Sequence, residues 1–443
     1  MPRLEAYVRE VRPTLTLALP IIVGQVSQML MGVTDSIMIG HAGTVPLAAS
    51  SFGGNVFALF FVLGIGMTVP VSIFVARARG AARLEDVSEY MRHGVALACI
   101  VGAIETLALV LIGTQLQRFG QPPEVLAIVK PFFFLIGVSI TPVLLYLALR
   151  QYAEAMGRPW LPMYIMLAGV GLNIFLNWIF IYGRLGVPAL GLTGAGISTF
   201  ISRTLGALVI LAWLRIDPVT RSAWPRRWFA PLSWTRFREM LHIGLPASGM
   251  LFFESSAFTF ATVMIGWRGA VPLAAHQIAL SCASVAYMFP LGLSMAAGMR
   301  VSHAVGAGER TRLRPIGYSA AAMSLVLTGT FTVLFAFGGN FVASWFVKDP
   351  AVISLAASLL IIAALFQLFD GCQVTVSAAL RAISDVRIPT IITFVAYWGV
   401  AIPLGYLLGV RGSLGAPGMW SGIAAGLAFA AVILVARFGR LTR

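Results

Sequence analysis

The chain has 443 residues, 59% of them hydrophobic and only 11% charged, with a mean hydropathy of +0.90. Soluble domains carry about a quarter charged residues, so a water-bathed globular protein is excluded and most of this surface is solvated by lipid. The formal net charge of +15 does not point to nucleic acid, because the basic residues are segregated along the chain.

Apolar runs long enough to cross about 30 Å of hydrocarbon as helices fall at about 14–40, 46–76, 94–114, 129–153, 160–183, 190–214, 239–266, 271–299, 316–346, 351–380, 388–409 and 413–436. Helix is expected because each backbone N–H and C=O must be satisfied within its own segment. The leading MPRLEAYVREVRPTL mixes both charge signs and lacks a small-residue cleavage site. It reads as the approach to the first span, not as a signal peptide.

Polar residues punctuate these spans in order. Span one carries Gln25, Gln28, Gly32 and Asp35 on one helical face. Span three holds Glu105, span five Asn173 and Asn177 at i, i+4, and span six Thr199 and Arg203. The polar stretch 215–238 separates an N-terminal lobe, 1–214, from a C-terminal lobe, 239–443, and is expected to be a cytoplasmic linker. Span seven places Glu254 among Ser255, Ser256, Thr259 and Thr262, and span ten aligns Phe366, Asp370, Gln373 and Ser377 on one face. His276, in span eight, reads as a packing residue more than a titrating one. Cys99, Cys282 and Cys372 all lie inside spans and form neither a disulfide framework nor a metal motif.

Assigning loops to alternate sides puts 24 of the 31 basic residues on one face of the membrane. This positive-inside asymmetry predicts cytoplasmic termini and an even number of spans.

The chain is also written twice. MIGHAGTVPLAAS at 38–50 returns as MIGWRGAVPLAAH at 264–276, and Leu19-Pro20 and Gly66 return as Leu245-Pro246 and Gly292. Further on, Ala155, Pro162 and Gly191 match Ala382, Pro389 and Gly418. The fold class is therefore all-α and polytopic: twelve transmembrane helices in two parallel six-helix repeats, with a central cleft between the lobes. Secondary transporters use such clefts for alternating access. Pro20 and Pro246 each favour a kink.

Asp35, Glu105, Glu254 and Asp370 lie deep within spans. A carboxylate there costs several kcal/mol unless paired, hydrated or protonated, so it defaults to a functional reading. The repeat supplies neutral residues opposite three of them, namely Ala261 for Asp35, Gln28 for Glu254 and Val143 for Asp370. Fold alone thus does not demand the acids. Asp35 with Asn173, Asn177 and Thr199 makes an oxygen-rich set suited to a hard cation or proton. Glu105 and Arg203, both mid-depth in the same lobe, are expected to form a structural ion pair.

With these residues in place, the chain resembles the multidrug and toxic compound extrusion (MATE) family over essentially its whole length. The resemblance rests on GTVPLAAS and GAVPLAAHQIALS, on FPLGLSMAAGMRVSHAVGAG, and on AALRAISDVRIPT with its counterpart LRQYAEAMGRPWLPM. It implies a V-shaped pair of six-helix lobes that exports cationic amphipathic organic compounds in exchange for H⁺ or Na⁺. It implies that Glu254 and Asp370 are coupling acids of the NorM-like branch, and that Asp35, Asn173, Asn177 and Thr199 are a second ion or proton site. It places Asp35, Phe258, Gln277, Tyr287 and Asp349 at drug-binding positions. Phe366 stands where relatives have a tyrosine that helps the cation, which leans the expectation towards H⁺. No cofactor or metal is expected, and no enzyme activity, since the spans hold no D-x-x-x-D or H-x-x-x-D constellation and no P-loop. The expected partners are organic cation drugs and membrane lipid, around a monomer localised to the inner membrane. A lipid-linked precursor flippase of related architecture is the alternative. The major facilitator class is disfavoured because RARGAARLEDVSEYMR does not fit its loop signature.

Overall fold

The structure is a computed structural model that describes residues 2–443. Among these residues twelve helical stretches are long and apolar enough to cross a membrane. The first six are α1 (Pro2–His41), α2 (Thr44–Gly80), α3 (Leu84–Gly113), the pair α4 (Pro123–Val138) and α5 (Ile140–Ala155), α6 (Trp160–Phe180) and α7 (Gly191–Ile216). A short α8 (Pro218–Arg221) follows. The second six are α9 (Trp234–Gly266), α10 (Ala270–Gly306), α11 (Arg310–Ser344), α12 (Pro350–Ala382), the Arg387–Arg411 stretch and α15 (Gly415–Leu441). The Arg387–Arg411 stretch is unusual. Between α13 (Arg387–Phe394) and α14 (Ile402–Gly405), and again after α14, the backbone widens into π-helix at Val395–Ala401 and Tyr406–Arg411.

The repeat is visible in the helix boundaries. Thr44–Gly80 returns 226 positions on as Ala270–Gly306, and α3 and α11 begin at the same offset. One residue is gained before Pro350–Ala382, which matches Pro123–Ala155 at both ends. The duplicated thirteen residues have a backbone reason. They contain Gly43 and Gly269, at φ +138° and +113°, in the turn between the first two helices of each repeat. Only glycine adopts that conformation without strain.

The chain forms two compact units, and neither coincides with a repeat. One comprises the chain up to Ile22 together with Gly249–Arg443; the other is Val23–Ser248. The first half of α1 therefore packs with the second repeat, and the first half of α9 packs with the first repeat. Both crossover points lie two residues beyond a proline, Pro20 or Pro246, where a backbone hydrogen bond is missing.

Each borrowed half-helix ends against a glycine. A methyl group on Gly66 would overlap the backbone of Ser248, whose hydroxyl donates to the Leu63 carbonyl at 2.7 Å. A methyl group on Gly292 would lie 2.6 Å from Ile22 Cγ1 and 2.9 Å from its Cα. Gly66 and Gly292 are repeat equivalents, as are Ser248 and Ile22.

An ion pair holds the outer end of each borrowed segment. Glu10 accepts from Arg312 at 2.9 Å and also from Arg300; Arg236 donates to Asp86 at 2.8 Å. Glu10 and Arg236 are equivalent positions, and so are Arg312 and Asp86. The same bridge is thus built twice with its charges exchanged. Were each half-helix to dock on its own repeat, Glu10 would meet Asp86 and Arg236 would meet Arg312, both repulsive.

The segment between the repeats is tied down as well. Arg92 donates to the carbonyls of Ala230 and Pro231, and His93 Nε2 accepts from the Ser233 N–H at 2.9 Å. That acceptance leaves Nδ1–H to donate to the Glu89 carbonyl, so His93 is held as one neutral tautomer.

Gly66→Ala or Gly292→Ala should overpack its crossing and cost about 1–3 kcal/mol, read as a fall in melting temperature in detergent. Asp86→Arg should cost about 1 kcal/mol, and Asp86→Arg with Arg236→Asp should recover most of it. Additive losses in the double variant would mean that the pair carries no such role.

Candidate functional site

Each compact unit holds a buried cluster of polar side chains that includes span acids. In the Val23–Ser248 unit, α1, α5, α6 and α7 surround a cavity of about 190 Å³. Asp35 lines it from α1, with Thr199, Ser202 and Arg203 from α7. Behind the acid, Asn177 Nδ2 donates to Asp35 Oδ1 at 2.6 Å and to Asn173 Oδ1 at 3.2 Å. Their i, i+4 spacing on α6 makes this fork possible. Asn177 Oδ1 and Asn173 Nδ2 remain buried without hydrogen-bond partners. The structure therefore brings together Asp35, Asn173, Asn177 and Thr199, with one amide oxygen and one amide nitrogen left unpaired among them.

Arg203 does not pair with Glu105, contrary to the sequence expectation. Its guanidinium donates to Ser139 Oγ at 2.7 Å and lies 4.7 Å over the Phe57 ring, while sharing the cavity with Asp35. Ser139 is available because span four breaks there, between α4 and α5; its equivalent in unbroken α12 is Phe366. Glu105 instead packs over Gly64, and its Oε2 is buried with no hydrogen-bond partner. The buried ion pair of this unit is Arg150–Glu154, at 2.7 Å and i, i+4 on α5. The apolar context and that spacing were its signal in the sequence.

The second cluster lies in the other unit. Glu254 from α9 and Asp370 from α12 interact electrostatically with each other and with Tyr287 and Tyr397. Arg381, one residue before the end of α12, faces Glu254 and Tyr287, and one of its nitrogens lies 4.0 Å from Met250 Sδ. Asp370 Oδ1 and Ser377 Oγ are buried without hydrogen-bond partners, while the Tyr397 hydroxyl faces Glu254 and Gln373. Sequence reasoning missed Arg381 and Tyr397. Arg381 reads as a loop charge until the helix is seen to run past it. Tyr397 sits in the π-helical segment, where the helical phase is lost. Phe366 is buried against Trp420, with ring centroids 5.4 Å apart. The tyrosine hydroxyl absent at that position is present nearby, on Tyr287 and Tyr397.

The expected drug contacts do not converge. Phe258, one turn from Glu254, packs against Tyr397 with centroids 6.2 Å apart, and Tyr287 joins the acids. Gln277 is exposed and lies about 15 Å along α10 from Tyr287, at 1.5 Å per residue. Asp349 caps the N-terminus of α12, accepting from the Ala351 N–H at 2.9 Å, about 30 Å along that helix from Asp370.

His276 is a structural connector. Its Nδ1 must accept, because Trp420 Nε1–H donates to it at 3.0 Å. Nε2–H then donates to Thr262 Oγ1 at 2.8 Å, and Thr262 donates to the Phe258 carbonyl at 3.0 Å. Every member of this chain is used, in one direction only.

Twelve lipid-length helices, with their buried polar groups concentrated in interior clusters, define an all-helical multi-pass membrane protein. The MatE family model matches residues 20–179 and again 246–407, one match in each repeat, and the chain belongs to the MatE family. Curated relatives agree. The chain is 32% identical over 444 residues to the probable multidrug resistance protein NorM of Mesorhizobium japonicum, covering 98% of this chain and 95% of that one. It is 34% identical over 436 residues to the multidrug resistance protein NorM of Burkholderia vietnamiensis, covering 96% and 93%. Among solved structures, the Vibrio cholerae MATE transporter VcmN superposes with a TM-score of 0.91 at 20% identity, covering 99% of this chain and 98% of that one, and so shares the fold.

Glu105→Gln removes no partner and should change stability by less than about 0.5 kcal/mol. Arg203→Gln loses the Ser139 bond and the Phe57 contact and should cost about 1–2 kcal/mol. Equal, large losses in both melting temperatures would restore the Glu105–Arg203 pair.

Proposed function

We propose that this protein is a secondary active antiporter that exports amphipathic organic cations in exchange for H⁺ or Na⁺, by alternating access of its two lobes. The observation that carries the reading is a charge imbalance in the second cluster. Of the two acids there, Glu254 faces a cation, Arg381, and Asp370 faces only Glu254. A buried carboxylate needs a compensating charge, and Arg381 supplies it for one acid only. The other requires a proton, a metal cation or an organic cation. These are mutually exclusive occupants of one negative charge, and competition for it is antiport in its simplest form. The first cluster is balanced differently, because Asp35 and Arg203 offset each other across one cavity. This assigns the coupling step to Asp370 and Glu254, and an accessory cation or proton site to Asp35, Asn173, Asn177 and Thr199.

The NorM names of the relatives support drugs as the substrate class. The aromatic faces of Phe258 and Tyr287 beside the acids suit a cation, by cation–π attraction. The basic residues clustered on one face support cytoplasmic termini and residence in the inner membrane. No cofactor is needed, because the gradient supplies the energy.

Purified protein in liposomes holding a fluorescent organic cation should export it under an imposed pH or Na⁺ gradient, and the effective gradient names the ion. Asp370→Asn should reduce gradient-driven export at least tenfold while the protein stays folded. Unchanged export in that variant would remove Asp370 from coupling. Simultaneous binding of cation and dye with no mutual effect on affinity would remove the competition mechanism.

A further inference from the structure

The cavity at Asp35 is not closed on its membrane side. A groove of about 690 Å³ runs between α6 and α7 and shares Ile165, Gly169, Ser202 and Gly206 with it. The groove starts at the ends of α6 and α7, where Arg158 and Asp217 pair at 3.1 Å. Trp160, Tyr164 and Trp213 line its outer part and are all largely exposed. From Trp160 to Gly169 it descends about 14 Å along α6. At its inner end, beside Ile165, the helices present the small residues Gly169, Ser202 and Gly206. A side chain on Gly169 would meet nothing within 4 Å, and Ser202, 4% exposed, has a hydroxyl with no hydrogen-bond partner.

We propose that this groove is a lateral entrance through which an amphipathic organic cation dissolved in the bilayer reaches Asp35, passing the aperture formed by Gly169, Ser202 and Gly206. Three features select that occupant. Interfacial aromatic rings attract cations and tolerate apolar bodies. The groove walls are apolar over the depth of one membrane leaflet. An acid, Asp35, stands at the inner end, and the two nearby arginines are already engaged, Arg158 by Asp217 and Arg203 by Ser139. The unpartnered Ser202 hydroxyl offers an acceptor at the narrowest point. A phospholipid would instead need a free cation at the mouth for its phosphate. The inference rests on the antiport reading for its transport consequence, but its binding consequence stands alone.

The binding test uses purified protein in detergent with a brominated alkyl trimethylammonium, which quenches tryptophan fluorescence on contact. Saturable quenching should fall in Trp160→Phe and Trp213→Phe, and Asp35→Asn should weaken the apparent affinity about tenfold. Quenching of Trp160 and Trp213 that is equally strong with brominated phosphatidylcholine and indifferent to Asp35→Asn would overturn the proposal, marking the groove as a lipid seat. The transport test uses rhodamine 6G in liposomes. Gly169→Phe should slow export at least tenfold with an unchanged melting temperature, whereas Gly169→Ala and the lipid-facing control Gly171→Phe should not. Equal rates in Gly169→Phe and wild type would overturn the entrance. Wild-type protein that binds the brominated cation as described but exports nothing would refute the antiport reading and leave the binding site standing.

Discussion

The architecture depends on two crossings at which a helix backbone passes a glycine with no room for a methyl group. Gly66 receives Ser248 and Gly292 receives Ile22, so each compact unit is completed by half a helix from the other repeat. Close approach of this kind is how helices gain packing in lipid, where no hydrophobic force drives them together. The prolines two residues earlier give the same helices a weak point just before the crossing. Tight packing on one side and a missing hydrogen bond on the other let one helix belong to two bodies.

The second organising constraint is charge in a low dielectric. The chain places few ionisable groups in its spans, and the structure accounts for most of them locally. Arg150 answers Glu154, Ser139 and Phe57 hold Arg203, and Asn177 holds Asp35. What remains unanswered is Glu105 in one unit and, in the other, Asp370, which Arg381 does not face. A deficit of this kind gives an arriving cation a reason to stay.

The spans, the duplication and the acids were legible because hydropathy, a fixed offset and charge in apolar context are one-dimensional signals. So was the Asp35, Asn173, Asn177 and Thr199 group, whose members share helical faces. Partner choice was not legible. Depth along a span placed Glu105 and Arg203 at one level, but rotation about the helix axes and the break at Ser139 turned Arg203 elsewhere. Tyr397 was hidden because π-helix abolishes the 3.6-residue phase on which face assignments depend. The exchange of half-helices was invisible too, since contiguous lobes are the simplest reading of a repeat.

The charge-exchanged bridges bear on how such a chain can evolve. An ancestral six-helix protein that paired with its own copy would need one sequence to serve both positions of the bridge. With Glu10 and Asp86 in the first repeat, two copies of that half would set acid against acid at both joints; with Arg236 and Arg312 in the second, two copies would set base against base. Only one of each satisfies both bridges. At these two joints the halves are complementary, and pairing two copies of either half would give up about 1 kcal/mol at each bridge.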